Sequence, residues 1–130
     1  MTVISFDPGV TTGIAVIASE DAAVLYTAAI GGDPMLVDGE IAYLKKEFPD
    51  SDVVVEKAPA HAGNYRQHTQ QIEERIRNAF PNAEWVPPGQ WKGHPASRVS
   101  DLRGKTQHEK DAAGLGRWFR KTRRSSGSRS

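Results

Sequence analysis

Val3-Ile4-Ser5-Phe6-Asp7-Pro8-Gly9-Val10-Thr11-Thr12-Gly13 is the stretch from which the rest of the chain is read. Val3, Ser5 and Asp7 alternate with Ile4 and Phe6, which is the period of a strand with two distinct faces. Pro8 to Gly13 is rich in turn formers, and the apolar run Ile14 to Ala18 follows it. The stretch therefore predicts two strands joined by a tight loop, with Asp7 at the C-terminal end of the first. After Ser19-Glu20-Asp21, the run from Ala23 to Ile30 predicts a third strand, giving an antiparallel meander that Gly31-Gly32 ends.

Beyond the meander the period changes. Val37, Ile41, Leu44 and Phe48 recur at spacings of four, three and four, so a helix is expected, with Asp33 as its cap and Pro34 at its first position. Pro49-Asp50 stops it, and Asp52-Val53-Val54-Val55-Glu56 is a β-branched strand ending in a carboxylate. Asn64 to Phe80 contains neither glycine nor proline and carries Tyr65, Ile72, Ile76 and Phe80 near helical spacing, which predicts a second helix. Glu84-Trp85-Val86 is a short fifth strand, Gln90 to Thr106 a long basic loop, and Gln107 to about Arg120 a last helix. This order predicts an α/β fold with a five-stranded mixed sheet and flanking helices, in which strands 1, 4 and 5 are mutually parallel.

The 130 residues are 38% hydrophobic and 25% charged, enough for one core and too polar for a membrane span. No membrane partner is expected. The chain enters its first strand directly from Met1 with no basic leader, and it has no cysteine, which together fit a cytoplasmic protein. The absence of cysteine also excludes thiolate catalysis and thiolate-bound zinc. A net charge of +1 conceals a division: residues 1–56 hold ten acids and two bases, whereas residues 57–130 hold fifteen bases and six acids. The second half thus has the sign of a polyanion binder, although a solvated basic surface would give the same count. Residues 1–120 are read as one domain and 121–130 as a flexible basic tail, with Gly127 to Ser130 resembling a cloning remnant.

Asp7 and Glu56 both stand at the C-terminal ends of strands predicted to be parallel, the sheet edge at which open α/β folds bind ligands. In the last helix, His108, Asp111, Ala112, Leu115 and Phe119 fall within an arc of about 100°, so the acid continues the face that buries Ala, Leu and Phe. A carboxylate pointing inward needs a cation, a hydrogen-bond network or a metal ion. Taken singly, Asp7-Pro8-Gly9 reads as a turn, Glu56 as a partner for Lys57 or Arg66, and His108 as a surface histidine. Taken together, three carboxylates and an imidazole suit hard divalent cations such as Mg²⁺ or Mn²⁺. Two such ions about 4 Å apart would serve phosphodiester hydrolysis.

These residues resemble the RuvC-like Holliday junction resolvases of the RNase H-like nucleases, and the short length is similar to phage-type members. Ile4 to Gly13 looks like the family's opening strand and DPG loop, Val53-Val54-Val55-Glu56 like its second acid, and His108-Glu109-Lys110-Asp111-Ala112 like its HxxDA signature. The resemblance implies a metal-dependent endonuclease of DNA recombination and repair. In it Asp7, Glu56, His108 and Asp111 hold two Mg²⁺ or Mn²⁺ ions, and a homodimer nicks two strands of a four-way junction. It implies a pairing surface on the helix from Asn64 to Phe80, including Gln67, Gln71, Ile72 or Arg75. Where cellular members place an aromatic residue shortly after the second acid, this chain has Lys57-Ala58-Pro59-Ala60-His61. His61 and Tyr65 are therefore the candidates for probing a junction centre. Lys57, Arg66, Lys92, Arg98, Arg103, Lys105, Arg120, Lys121, Arg123 and Arg124 are candidate phosphate contacts. Three alternatives remain at this stage: a general RNase H-like nuclease cutting flaps, three-way junctions or RNA–DNA hybrids; a junction-binding module without catalysis; and an actin-like phosphotransferase, whose two lobes 130 residues do not supply.

Overall fold

The computed structural model describes residues 1–57 and 66–127, with side chains through residue 123. His61 and Tyr65 lie outside the described residues, as does the side chain of Arg124. The element order is β1 Thr2–Asp7, β2 Thr11–Ala18, β3 Val24–Gly31, α1 Leu36–Glu47, β4 Ser51–Glu56, α2 Arg66–Ala79, β5 Glu84–Val86, α3 Pro88–Trp91, a 3₁₀ turn at Pro95–Ser97, and α4 Gln107–Gly127. The sheet order is β3-β2-β1-β4-β5. β1, β2 and β3 pair antiparallel, while β4 joins β1 and β5 joins β4 in parallel. No described helix is long and apolar enough to cross a membrane.

Alternation along the strands splits the core into two layers. Ile4, Phe6, Ile14, Val16, Val53 and Val55 pack with Val37, Ile41 and Leu44 of α1 and Ile72 and Ile76 of α2. Val3, Ala15, Ile17, Val54 and Val86 pack on the opposite face with Ala112, Ala113, Leu115, Trp118 and Phe119 of α4. Ile72, expected at a two-fold interface, is 3% exposed and is spent on the chain's own core. Arg75 reaches across to Asp38 of α1 at 2.5 Å, while Gln67 and Gln71 remain exposed.

α4 lies unusually close to the sheet. Ser5 Oγ donates 2.5 Å to the Ala112 carbonyl, and a Cβ on Gly116 would stand 2.8 Å from Ile17 Cγ1 and 2.9 Å from Ser5 Oγ. Two arginines then secure its far half. Arg117 donates to the carbonyls of Ala22 and Arg98, each at 3.0 Å, and to both carboxylate oxygens of Asp101 at 2.7 and 2.9 Å. Arg120 donates to the Ser19 and Glu20 carbonyls at 2.7 and 2.6 Å, fastening the β2–β3 turn.

Boundaries differ from the sequence reading in three places. α1 begins at Leu36, because Asp33 caps a preceding turn instead: its Oδ1 accepts from Met35 N at 2.9 Å and its carbonyl from Leu36 N at 2.9 Å. The stretch from Gln90 to Thr106 contains the end of α3 and the 3₁₀ turn, with Trp91 and Leu102 buried. α4 continues past Arg120 to Gly127, since neither glycine nor proline interrupts it after Gly116.

Candidate active site

β1 ends at Asp7, which lies opposite Gly13 in the register with β2. Because Val3 and Ser5 face α4, alternation turns Asp7 toward that helix as well. β4 ends at Glu56, which shares the face of Val54, is only 8% exposed, and accepts the Trp91 indole N–H on Oε2 at 2.9 Å. Lys92 Nζ stands 3.9 Å from the same oxygen.

The third acid depends on how α4 starts. Thr106 and Glu109 form a reciprocal cap: Glu109 N donates to Thr106 Oγ1 at 3.2 Å, and Thr106 N donates to Glu109 Oε1 at 3.1 Å. Thr27 of β3 donates to Glu109 Oε2 at 2.5 Å, which holds the Glu109 carboxyl below its usual range and ties the helix start to the sheet. The first turn then lies on bare backbone. A Cβ on Gly13 would sit 2.0 Å from the His108 carbonyl oxygen, so glycine is what admits the helix there. Asp111, one turn on, is half-buried and accepts from Gln107 Nε2 at 2.8 Å.

These placements bring Asp7, Glu56 and Asp111 into one electrostatic cluster. Burial, first, and then the Glu56 charge, a hydrogen bond with the Glu56 carboxyl and the Asp111 charge push Asp7 up to about 8; Lys92 opposes them. Burial beside two other acids therefore favours the protonated form of Asp7. Among the described residues, no three His, Asp or Glu side chains already stand in the arrangement that holds a metal ion. The donor chemistry nevertheless fits a hard divalent cation, being oxygen-rich, free of thiolate and deficient in positive charge.

His108 shares α4's inward arc and its backbone rests on Gly13, yet its side chain is exposed. Lys57, Arg66, Lys92, Arg98, Arg103 and Lys105 are also exposed. Lys57 follows Glu56 directly, and Lys92 adjoins it. Arg120 and Arg123 stand at the other end of α4, about 18 Å or more along the helix from His108. Arg120 is engaged by backbone carbonyls, whereas Arg123 lies 3.7 Å from Glu84 and over the Phe119 ring; Lys121 is exposed near them. Trp91 is the site residue that the sequence reading missed. Its signal was a large aromatic in a polar, proline- and glycine-rich stretch, which demands a burial site and a partner for its N–H.

No family model and no curated protein matches this chain. Solved structures do. A structure described as Thermus thermophilus RuvC in complex with a Holliday junction substrate superposes with a TM-score of 0.78 at 16% identity, over 97% of this chain and 97% of that one. A second Thermus thermophilus RuvC structure gives a TM-score of 0.72 at 17% identity, over 96% of this chain and 97% of that one. The chain has a RuvC-like, RNase H-like fold.

Proposed function

We propose that the chain is a divalent-metal-dependent endonuclease of branched DNA that resolves four-way junctions by paired nicks. What supports this reading is that Asp7 and Glu56 end adjacent parallel strands of a RuvC-like sheet, within electrostatic reach of Asp111 on α4. The description of one structural neighbour as bound to a Holliday junction supports branched DNA as the substrate class.

Asp7, Glu56, Asp111 and His108 would hold two Mg²⁺ or Mn²⁺ ions, a cation offsetting the burial and acid repulsion that raise Asp7. When bound, such ions activate water and stabilise the attacking and leaving oxygens of a phosphodiester displacement. His108, open to solvent on the first turn of α4, would carry a proton to or from the reacting phosphate. Lys92 tempers the acid repulsion before a cation arrives and would contact a phosphate afterwards. Lys57, Arg66, Arg98, Arg103 and Lys105 would hold the DNA arms, giving an affinity that falls steeply with salt. Lys121, Arg123 and Arg124 would add contacts farther from the site, in a basic segment spanning residues 121–130.

Paired nicking requires two copies. The exposed face of α2, with Gln67, Gln71 and the Arg75–Asp38 pair, is the proposed two-fold surface, polar because Ile72 and Ile76 are committed to the core.

The deciding experiment incubates the protein with labelled four-way, three-way, flap, RNA–DNA hybrid and duplex substrates, with Mn²⁺, Mg²⁺ or EDTA. Symmetric nicks on the four-way junction that require metal and vanish in Asp7→Asn, with binding retained, are the expected result. Equal cutting of flaps or hybrids would replace the reading with a general RNase H-like nuclease. Binding without cleavage would leave a junction-binding module. Sedimentation of the junction complex is expected to show two copies, and one copy would refute the pairing.

A further inference from the structure

α3 carries a single large side chain into the molecule. Pro88 opens this turn, the Lys92 N–H closes it on the Pro88 carbonyl at 3.1 Å, and Trp91 is left 3% exposed beneath the acid cluster. Its ring reaches α4, where a Cβ on Gly114 would stand 3.2 Å from its Cζ3. The layer itself asks only for an apolar side chain of about this size, since its neighbours include Val54, Val86, Leu102 and Ala113. What tryptophan adds is the N–H, and that N–H is directed at Glu56 Oε2, 2.9 Å away.

Each group satisfies the other's requirement. A buried indole N–H needs an acceptor, and a buried carboxylate needs donors to remain charged. With Oε2 held by Trp91, the Glu56 carboxyl group is anchored to the aromatic layer, with Asp7 as its electrostatic neighbour. Lys92 cannot substitute as the orienting group, because its Nζ is 3.9 Å away on a half-exposed, flexible stem.

We infer that Trp91 is a positioning residue whose indole N–H orients the Glu56 carboxylate toward Asp7 for binding a divalent cation. The inference rests on the proposed reading of Glu56 as a metal ligand. Groups that orient ligands in this way typically change metal affinity by about 10–100-fold when removed.

The test is calorimetric titration with Mn²⁺ alone on the full chain, using wild type, Trp91→Phe, Glu56→Gln and the double variant. Trp91→Phe keeps the ring in the core and deletes the N–H. It is expected to weaken Mn²⁺ binding about tenfold or more, yet to have no further effect in the Glu56→Gln background, because it acts through that carboxylate. If Glu56→Gln weakens binding while Trp91→Phe binds like wild type, the inference fails and the metal reading stands. If Glu56→Gln itself binds Mn²⁺ like wild type, the reading of Glu56 as a ligand fails first. Should Trp91→Phe not fold, the wild-type protein still decides the matter by nuclear magnetic resonance. On adding Mg²⁺ the Trp91 indole N–H resonance is expected to shift while those of Trp85 and Trp118 stay. A stationary Trp91 resonance at saturating Mg²⁺ would overturn the inference.

Discussion

Gly13→Ala adds one methyl group where two backbones already touch. The added carbon would sit 2.0 Å from the His108 carbonyl oxygen and 2.6 Å from its carbon, and neither side can relieve the clash by changing a rotamer. Ordinary contact begins at about 3.5 Å, so the first turn of α4 must retreat by roughly 1.5 Å. Overpacking of this kind costs about 1–3 kcal/mol of stability. The retreat also carries His108 and Asp111 away from Asp7, and a misplacement of about 1 Å at a reacting centre can cost about 100-fold in rate. Gly116→Ala is the matched control. Its carbon would meet the side-chain atoms Ile17 Cγ1 at 2.8 Å and Ser5 Oγ at 2.9 Å, a milder clash two turns farther along the same helix. Urea melts should show both variants destabilised, Gly13→Ala the more. Junction nicking, measured with Mn²⁺ well below either melting temperature, should fall about 100-fold in Gly13→Ala and within a few-fold in Gly116→Ala. Wild-type stability in Gly13→Ala, or equal losses of nicking in the two variants, would refute the reasoning.

Asp7→Asn should change the pH dependence of the metal-free protein. Asp7 is raised from 3.8 to about 8 in the fold, so the native state binds this proton more tightly than the unfolded chain does. That contribution is complete below pH about 3.8 and is lost as pH rises through about 8. In EDTA, the wild type should therefore lose melting temperature relative to Asp7→Asn across this range, and a difference that is flat with pH would contradict the assignment. Asp101 behaves in the opposite sense: its hydrogen bonds from Arg117 hold it at about 2, below 3.8. Its contribution is present above pH 3.8 and is lost as pH falls through about 2, so Asp101→Asn should flatten the acid limb of a urea-midpoint profile. An acid limb identical to wild type would show that the Arg117 pair does not bear on stability.

The parts of this molecule that alternate or repeat were readable in the sequence. Val3/Ser5/Asp7 against Ile4/Phe6 identified both faces of β1, and the β-branched run to Glu56 identified β4. The parallel crossover then brought the two acids to one edge. The arc containing Asp111 and Ala112 located the third acid. What escaped notice depends on contacts between residues far apart in the chain. Trp91 sits in a segment with no period, and only the meeting of α3 with the end of β4 gives its N–H a purpose. Arg117 and Arg120 read as part of a basic run, yet α4 lies where their guanidinium groups reach carbonyls of the β2–β3 turn, about 100 positions earlier. Helical phase placed His108 inward, but phase does not report how the first turn of α4 meets Gly13, and the His108 side chain is exposed.

The order of the elements has a consequence for the moment of synthesis. α4 provides most of one wall of the core and carries Asp111, and its anchors to β1 and β2 span separations such as the 107 residues between Ser5 and Ala112. A nascent chain emerging from the ribosome holds Asp7 and Glu56 long before it has Asp111. Until Gln107 and the residues after it emerge, the Val3–Ala15–Ile17–Val54 side of the sheet lacks Ala112, Ala113, Leu115, Trp118 and Phe119, and only Trp91 and Leu102 come to it from beyond the sheet. Domains dominated by such distant contacts complete their folding late. A product truncated before α4 therefore has neither a closed core nor an assembled acid cluster. The closed core and the acid cluster thus arrive together, and a chain that stops before α4 presents an apolar sheet face to proteolysis instead of a finished site.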